Sequence, residues 1–269
     1  MSLFAIFTIP SPHSHRSKTL TVQEPQAETL ETELRIGNHS IRFSAQFSTE
    51  KVGLHELLPL FQNITDKVVD IAATEASEQG ERISCRSGCS ACCSQLVPVS
   101  KAEAVSLLKL IESMPGARRS EIEARFEKNM VVLEEAGLLE ALEHAALDHD
   151  KERLRAIGLD YFRLDLPCPF LQDHSCSIHP HRPLSCREFL VVSDPLYCAD
   201  LDPGHVKNVA LPKTVSPIIY EMCSGDRSRD RGFIPLVQLL ADAASLLAGQ
   251  PDPAPAVAWV RRFFKRLCG

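Results

Sequence analysis

The sequence predicts a mainly α-helical fold with a small N-terminal β-hairpin and an irregular, proline-rich segment clamped by cysteines. Apolar residues recur at helical spacing through much of the chain, which is typical of amphipathic helices. Residues 31–47 instead alternate between apolar and polar on either side of Gly37-Asn38, as a hairpin does. The helical period disappears over residues 161–215, where prolines recur at Pro167, Pro169, Pro180, Pro183, Pro195, Pro203 and Pro212.

Composition narrows the class of function. The 269 residues carry 29 basic and 35 acidic side chains, and this net charge of −6 disfavours nucleic acid as a partner. No apolar run approaches the roughly 20 residues that span a bilayer, so we expect no integral membrane segment. We find no export signal and expect a cytoplasmic protein, in which the 10 cysteines stay reduced and metal ligation is favoured over disulfides. An extracellular disulfide protein is the alternative, and it requires such a signal.

The sequence divides into three parts. Residues 1–28 are rich in Ser, Thr, Pro and Gln and lack periodicity, which predicts a mobile tail. Residues 29–215 contain the hairpin, most of the predicted helices and eight cysteines, and we interpret them as one metal-binding domain. Residues 216–269 return to helical spacing and are predicted to pack on that domain or to be appended to it.

The N-terminal elements follow from simple periods. In the hairpin, Leu34 and Ile36 share one face of the first strand. One face of the return strand carries Ile41, Phe43 and Ala45. The following segment has helical spacing and begins near Pro59, with an apolar stripe formed by Leu57, Phe61, Ile64, Val68 and Ile71.

Capping signals place the middle helices. Ser100 with Glu103 forms a capping box, and Pro115-Gly116 stops that helix. Ser120 with Glu123 repeats the signal and predicts the start of the next helix, whose stripe is Ile122, Phe126, Met130 and Leu133. Shorter helices are predicted over Leu138–Ala146 and Lys151–Ile157.

The C-terminal part returns to helix after an N-cap at Ser216, with Pro217 at the first helical position. Two further helices are predicted after it. One is an apolar helix over 234–249 that ends at Gly249. The other is an amphipathic helix over 257–269, in which a basic, solvated face lies opposite an apolar one.

The first cysteine cluster packs Cys85, Cys89, Cys92 and Cys93 into nine residues. On a helix these positions would fall within an arc of about 100°. Gly88 and the neighbouring serines are poor helix residues, so a helical start, a loop and a helix formed only with metal all stay open. A disulfide between adjacent cysteines requires a strained ring. A metal ion has no such restriction, because each sulfur needs only to reach a common point about 2.3 Å away in the case of zinc.

The second cluster contains Cys168, Cys176 and Cys186, at spacings that suit loops folding over a metal. Arg182 and Arg187 flank Cys186, and their charges would offset those of several thiolates. Three histidines crowd the same segment and are more typical of a loop surface than of a coordination sphere: His174, His179 and His181.

The ordered string Cys-x3-Cys-x2-Cys-Cys, Cys-Pro-Phe-Leu, Cys-x-Ile and Arg-Pro-x-x-Cys-Arg resembles the bacterial cysteine-cluster family of the YkgJ type, described as zinc- or iron-chelating. The resemblance implies about eight metal-ligating cysteines, of which seven map directly and Cys198 is the choice for the eighth. His179 stands where such proteins often have tyrosine. The expected ligands are therefore Cys85, Cys89, Cys92, Cys93, Cys168, Cys176, Cys186 and Cys198.

Metal identity and activity stay open at this stage. Zinc or iron is expected as the cofactor, and an iron–sulfur cluster would use the surplus of thiols over the four that one zinc needs. A metal-binding protein is the first hypothesis, and a metalloenzyme that uses the centre for redox or protein-modification chemistry is the alternative. Cys223 is interpreted as a core residue and Cys268 as incidental.

Overall fold

The computed structural model describes residues 27–142, 151–199, 204–224 and 231–268. Helices dominate the described residues, and the only long strands are a pair at the N-terminal end, so the predicted mainly α fold is confirmed. Of the tail predicted over residues 1–28, residues 1–26 lie outside the described residues. Its last two residues, Ala27 and Glu28, belong to the first strand.

The N-terminal hairpin forms as predicted. Strands β1 (Ala27–Ile36) and β2 (His39–Ser48) are antiparallel, and Ile36 pairs with His39 across a two-residue turn. Gly37 occupies that turn with φ of 58°, a left-handed conformation that glycine adopts at no steric cost. Leu34 and Ile36 are buried, so one face of the hairpin packs on the core.

The first core joins both ends of the described chain. It lies between the hairpin, helix α1 (Leu58–Glu78) and helix α9 (Ala256–Cys268). The rings of Phe61 and Phe263 lie 4.6 Å apart, and Trp259 donates a hydrogen bond of 3.1 Å to the carbonyl of Val52. Strand β3 (Lys51–Val52) pairs with β8 (Ala254–Pro255) beside that bond. The amphipathic helix predicted at the C-terminus therefore buries its apolar face against α1 and the hairpin.

A second core lies against helix α2 (Lys101–Glu112) and helix α3 (Gly116–Glu135). Strand β4 (Pro98–Ser100) precedes α2 and pairs with β7 (Phe233–Pro235). The capping box predicted at Ser100 and Glu103 is present. Between them these elements bury the ring of Phe126, which meets Phe170 of the proline-rich segment edge-on at 5.6 Å.

The predicted start of α3 at Ser120 is wrong, because the helix begins one turn earlier at Gly116. Pro115 is its N-cap, with φ of −54° and an extended ψ of 141°. The proline ring fixes φ near the helical value and the ψ of Pro115 is extended, which is the N-cap conformation, so the chain enters the helix before it reaches Ser120.

The remaining helices are short. Helix α4 covers 138–142, and the rest of the helix predicted to Ala146 lies outside the described residues. Helix α5 (Lys151–Arg163) runs further than the predicted Ile157. After a small hairpin of β5 (Leu171–Gln172) and β6 (Ser175–Cys176) come the short helices α6 (Leu184–Glu188), α7 (Ser216–Cys223) and α8 (Ala243–Ala248). Helix α7 begins one residue before the predicted Pro217, with Val215 rather than Ser216 as N-cap.

The single apolar helix predicted over 234–249 is also wrong. The segment splits into β7, a 3-10 turn at Leu236–Gln238 and helix α8, whose C-cap is Gly249, the predicted end of the helix. The length of the run favours a helix, but a short apolar stretch such as its first residues suits a buried strand as well. Here β4 offers a backbone partner, and Val99 pairs with Ile234, so the first residues become a strand.

No helix among the described parts of the chain is long and apolar enough to cross a membrane.

Replacing Phe263 with alanine is expected to lower the free energy of unfolding by about 3 to 5 kcal/mol, since the ring is fully buried and its loss leaves a cavity beside Phe61. Leu247→Ala is the matched control, because its side chain is 57% exposed and should change stability by less than about 0.5 kcal/mol. Urea unfolding followed by circular dichroism measures both, and equal effects would contradict this account of the first core.

Candidate metal centre

A cavity of about 660 Å³ lies between the segment that follows α1 and the proline-rich segment. Both predicted cysteine clusters line it, although more than 70 residues separate Cys93 from Cys168 in the sequence. All ten cysteines of the chain are free thiols. The seven cysteines at the cavity wall are Cys85, Cys89, Cys92, Cys93, Cys168, Cys176 and Cys186.

The first cluster does not present its sulfurs from one face of an α-helix. Residues 85–90 form a loop, and only Ala91–Ser94 makes a short 3-10 turn. Gly88 has φ of 81°, and the amide of Cys89 donates to the carbonyl of Arg86, which closes a tight turn before a helix can start. The loop interpretation is thus correct for these cysteines.

Backbone hydrogen bonds hold the two cysteine segments together. The amide of Cys168 donates to the carbonyl of Cys93 at 2.7 Å. At the other end of the first cluster, Ser84 donates to the carbonyl of Val191 at 2.9 Å, and the amide of Val191 points at the sulfur of Cys85 at 3.5 Å. Two of these bonds join backbone groups alone, and the third brings a backbone amide to a cysteine sulfur.

The two arginines flanking Cys186 have different roles. Arg182 lines the cavity and has a buried Nε without a hydrogen-bond partner among the described residues. Arg187 faces away, pairs with both carboxylate oxygens of Asp66 at 2.9 Å and donates to the carbonyls of Pro180 and Arg182. Arg182 therefore offers charge to the thiols, whereas Arg187 attaches their segment to α1.

Burial and hydrogen bonding separate the thiols by acidity. A hydrogen bond donated by Cys93 outweighs burial and lowers the pKa of Cys92 to about 7, with help from Arg182. Because the Cys93 thiol donates this hydrogen bond to Cys92 and is also buried, the pKa of Cys93 is raised. Burial raises the pKa of Cys168 to about 12 and also raises the pKa of Cys186, and in both cases neighbouring thiolates add to the effect. Cys92 is thus the sulfur best prepared to bind an electrophile or a cation.

The donor set suits a thiophilic metal, because zinc and iron both prefer thiolate ligands in proteins. Among the described residues, no three or more Cys, His, Asp or Glu side chains already stand close enough together to hold an ion.

The remaining candidates fall in different places. Cys198 is buried in the 3-10 turn Pro195–Ala199, outside the cavity wall. Burial, followed by the charges of Cys92, Cys85 and Cys89, raises its pKa to about 11, which puts it near the first cluster. His179 lines the cavity, whereas His174 and His181 do not.

The two cysteines interpreted as unrelated to the metal lie elsewhere. Cys223 is buried in the first core, and Cys268 is exposed near the end of α9. Sequence reasoning missed the carboxylates that anchor the cysteine segment, Asp66 and Glu188, because nothing in their local sequence indicates partners more than 25 residues away.

Residues 84–201 match the family model described as "CxxCxxCC: Putative zinc- or iron-chelating domain". This cysteine-bearing segment is therefore similar to that family. The match covers less than half of the chain and includes both clusters and Cys198. No curated protein and no solved structure matches the chain.

In the metal-free full-length chain, iodoacetamide is expected to alkylate Cys92 before Cys168. With a pKa of about 7, Cys92 is half thiolate at neutral pH, so its rate should rise as the pH passes through 7 and then level off. Cys168, with a pKa of about 12, stays protonated throughout that range. Tandem mass spectrometry of the labelled peptides measures both rates, and comparable labelling at pH 7 would contradict the assigned hydrogen bond.

Proposed function

We propose that this protein binds zinc or iron through the cysteines of its two clusters. The observation that carries the proposal is that seven thiols from segments far apart in sequence line one cavity. Free cysteines in proteins are usually buried singly in apolar cores, so seven around one cavity call for a ligand. The family of residues 84–201 has the same chemistry in its description.

The ligand set we propose comprises the seven cavity cysteines, with Cys198 as the eighth. Seven or eight thiolates exceed the four that satisfy one tetrahedral zinc, which favours two ions with shared thiolates or an iron–sulfur cluster. Such a centre carries net negative charge. Arg182, at the cavity wall with an unpartnered Nε, is placed to offset that charge and to donate a hydrogen bond to sulfur.

Metal binding would also contribute to folding. The segment between Cys168 and Cys198 is rich in turns, and its helices are no longer than five residues. Elements this short do not persist by themselves in water. A shared ion would link this segment to the first cluster and add its binding free energy to that of folding.

Anaerobically purified protein is expected to contain at least one equivalent of zinc or iron per chain, as measured by elemental and sulfide analysis together with a visible absorption spectrum. Broad charge-transfer bands with iron would assign an iron centre, and a colourless sample with zinc would assign a zinc site. Protein that stays below one equivalent of either metal after reconstitution would overturn the proposed function.

Cys186→Ser and Cys89→Ser, one from each cluster, are expected to lose metal and solubility together. Each substitution removes a soft donor from the same cavity, and serine is a poor ligand for a thiophilic ion. Cys268→Ser is the matched control, since its exposed thiol lies on α9 and should affect neither property. Metal content and the soluble fraction are compared side by side, and a Cys268→Ser protein that behaves like the other two would refute the ligand assignment.

A metalloenzyme is the second candidate, favoured by the size and apolar wall of the cavity. Phe189, Leu190 and Leu236 line it beside the thiols, leaving space that an ion alone does not fill. Catalytic metal sites keep an open coordination position, whereas structural sites are closed. Stepwise chelation monitored by circular dichroism should separate the two: retained helicity in the metal-free chain favours the enzyme, and simultaneous loss of helicity favours the structural site.

A further inference from the structure

Glu103 is a carboxylate buried in the protein interior, with only 3% of the residue exposed. Its Oε2 atom accepts hydrogen bonds from the amide and the hydroxyl of Ser100, at 2.8 and 2.7 Å. Its Oε1 atom accepts from the amide of Leu184 at 2.7 Å. The two oxygens therefore bind two different segments, and the amide of Leu184 lies 81 residues along the chain from Glu103.

A helix cap explains only half of this arrangement. In a capping box, the glutamate at the third helical position bonds back to the N-cap residue, as Glu103 does to Ser100. The box uses only Oε2, one of the two carboxylate oxygens. The other oxygen, Oε1, binds the first residue of α6, the five-residue helix that carries Cys186. Without partners of this kind a helix of five residues is unstable.

The residues beside Cys186 in α6 are anchored to other elements. Ser185 donates to the carbonyl of Pro98 at 2.8 Å, and Arg187 pairs with Asp66 of α1. Glu188 accepts hydrogen bonds from the amides of Val215 and Ser216 at the start of α7. Cys186, in the middle of this helix, lines the cavity instead.

We propose that Glu103 is a positioning residue for the candidate metal centre, which fixes the start of α6 so that the thiol of Cys186 faces the cavity. The carboxylate joins Ser100, where β4 meets α2, to the backbone amide at the start of α6, and the bond from Ser185 to Pro98 of β4 lies beside it. The metal-binding part of this inference depends on the proposed function. The orientation of Cys186 does not, so the two are tested separately.

The test compares three variants of the full-length chain. Glu103→Gln keeps the size of the side chain, but its amide group cannot accept hydrogen bonds on both sides. Glu103→Asp keeps the charge but is one methylene too short to reach both segments. Ser100→Ala is the matched control: it weakens the same helix cap by removing the hydroxyl, and leaves the bond to Leu184 intact.

The primary measurement is the rate at which iodoacetamide labels Cys186 relative to Cys168, read by mass spectrometry on the protein as purified. Both Glu103 variants should raise this ratio, because α6 is released and its thiol leaves the cavity wall. Ser100→Ala should lower the melting temperature without raising the ratio. A second measurement follows the transfer of zinc to a colorimetric chelator, where we expect the affinity of the Glu103 variants to fall by about 10- to 100-fold.

Each outcome decides the matter. An unchanged labelling ratio in a folded Glu103 variant overturns the positioning role, as does an equal rise in Ser100→Ala at the same loss of melting temperature. If only Glu103→Gln is insoluble, the labelling ratio of Cys186 to Cys168 in Glu103→Asp tests the positioning role. Insolubility of both, with soluble Ser100→Ala, would assign Glu103 to general folding and also reject the proposal. A wild-type chain that binds no metal defeats the proposed function alone, since the labelling ratio still reports the orientation of Cys186.

Discussion

The hydrogen bond from the amide of Cys168 to the carbonyl of Cys93, 2.7 Å long, joins the two segments on which everything else at this site depends. It connects the loop that follows α1 to the start of the proline-rich segment. In the sequence, helices α2 to α5 lie between these two segments. Because the contact is made by backbone groups in both segments, any residue other than proline could donate it from position 168, and the cysteines place their sulfurs where the two segments meet.

Burial of so many thiols has an electrostatic consequence. The negative charge of a thiolate has a high free energy in a low-dielectric environment unless a positive charge or a hydrogen-bond donor offsets it. Burial accordingly raises the pKa of four thiols, those of Cys85, Cys168, Cys176 and Cys186. A metal reverses this balance by replacing the proton on each ligand, so binding releases protons. Arg182 and the low-pKa sulfur of Cys92 lie in the same cavity, where a first contact with a cation requires the least proton release.

Local signals in the sequence predicted much of the fold. The hairpin turn at Gly37, the capping box at Ser100 and the apolar stripe of α1 are confirmed because each depends on residues within a few positions of one another. The helix predicted from Ser120 failed because Pro115 offered an earlier start. The helix predicted over 234–249 failed because a distant strand, β4, supplied hydrogen bonds that no local pattern reveals.

The same division applies to the site. Residue type and spacing by themselves determined that the cysteines form two clusters with soft-metal chemistry, since thiols and their separations are written in the sequence. Only the tertiary structure decided that Cys198 lies outside the cavity wall, that Arg182 faces the thiols while Arg187 faces Asp66, and that Glu103 reaches Leu184. These contacts join residues brought together by packing of separate elements, and spacing along the chain carries no information about which side of a short helix faces which neighbour.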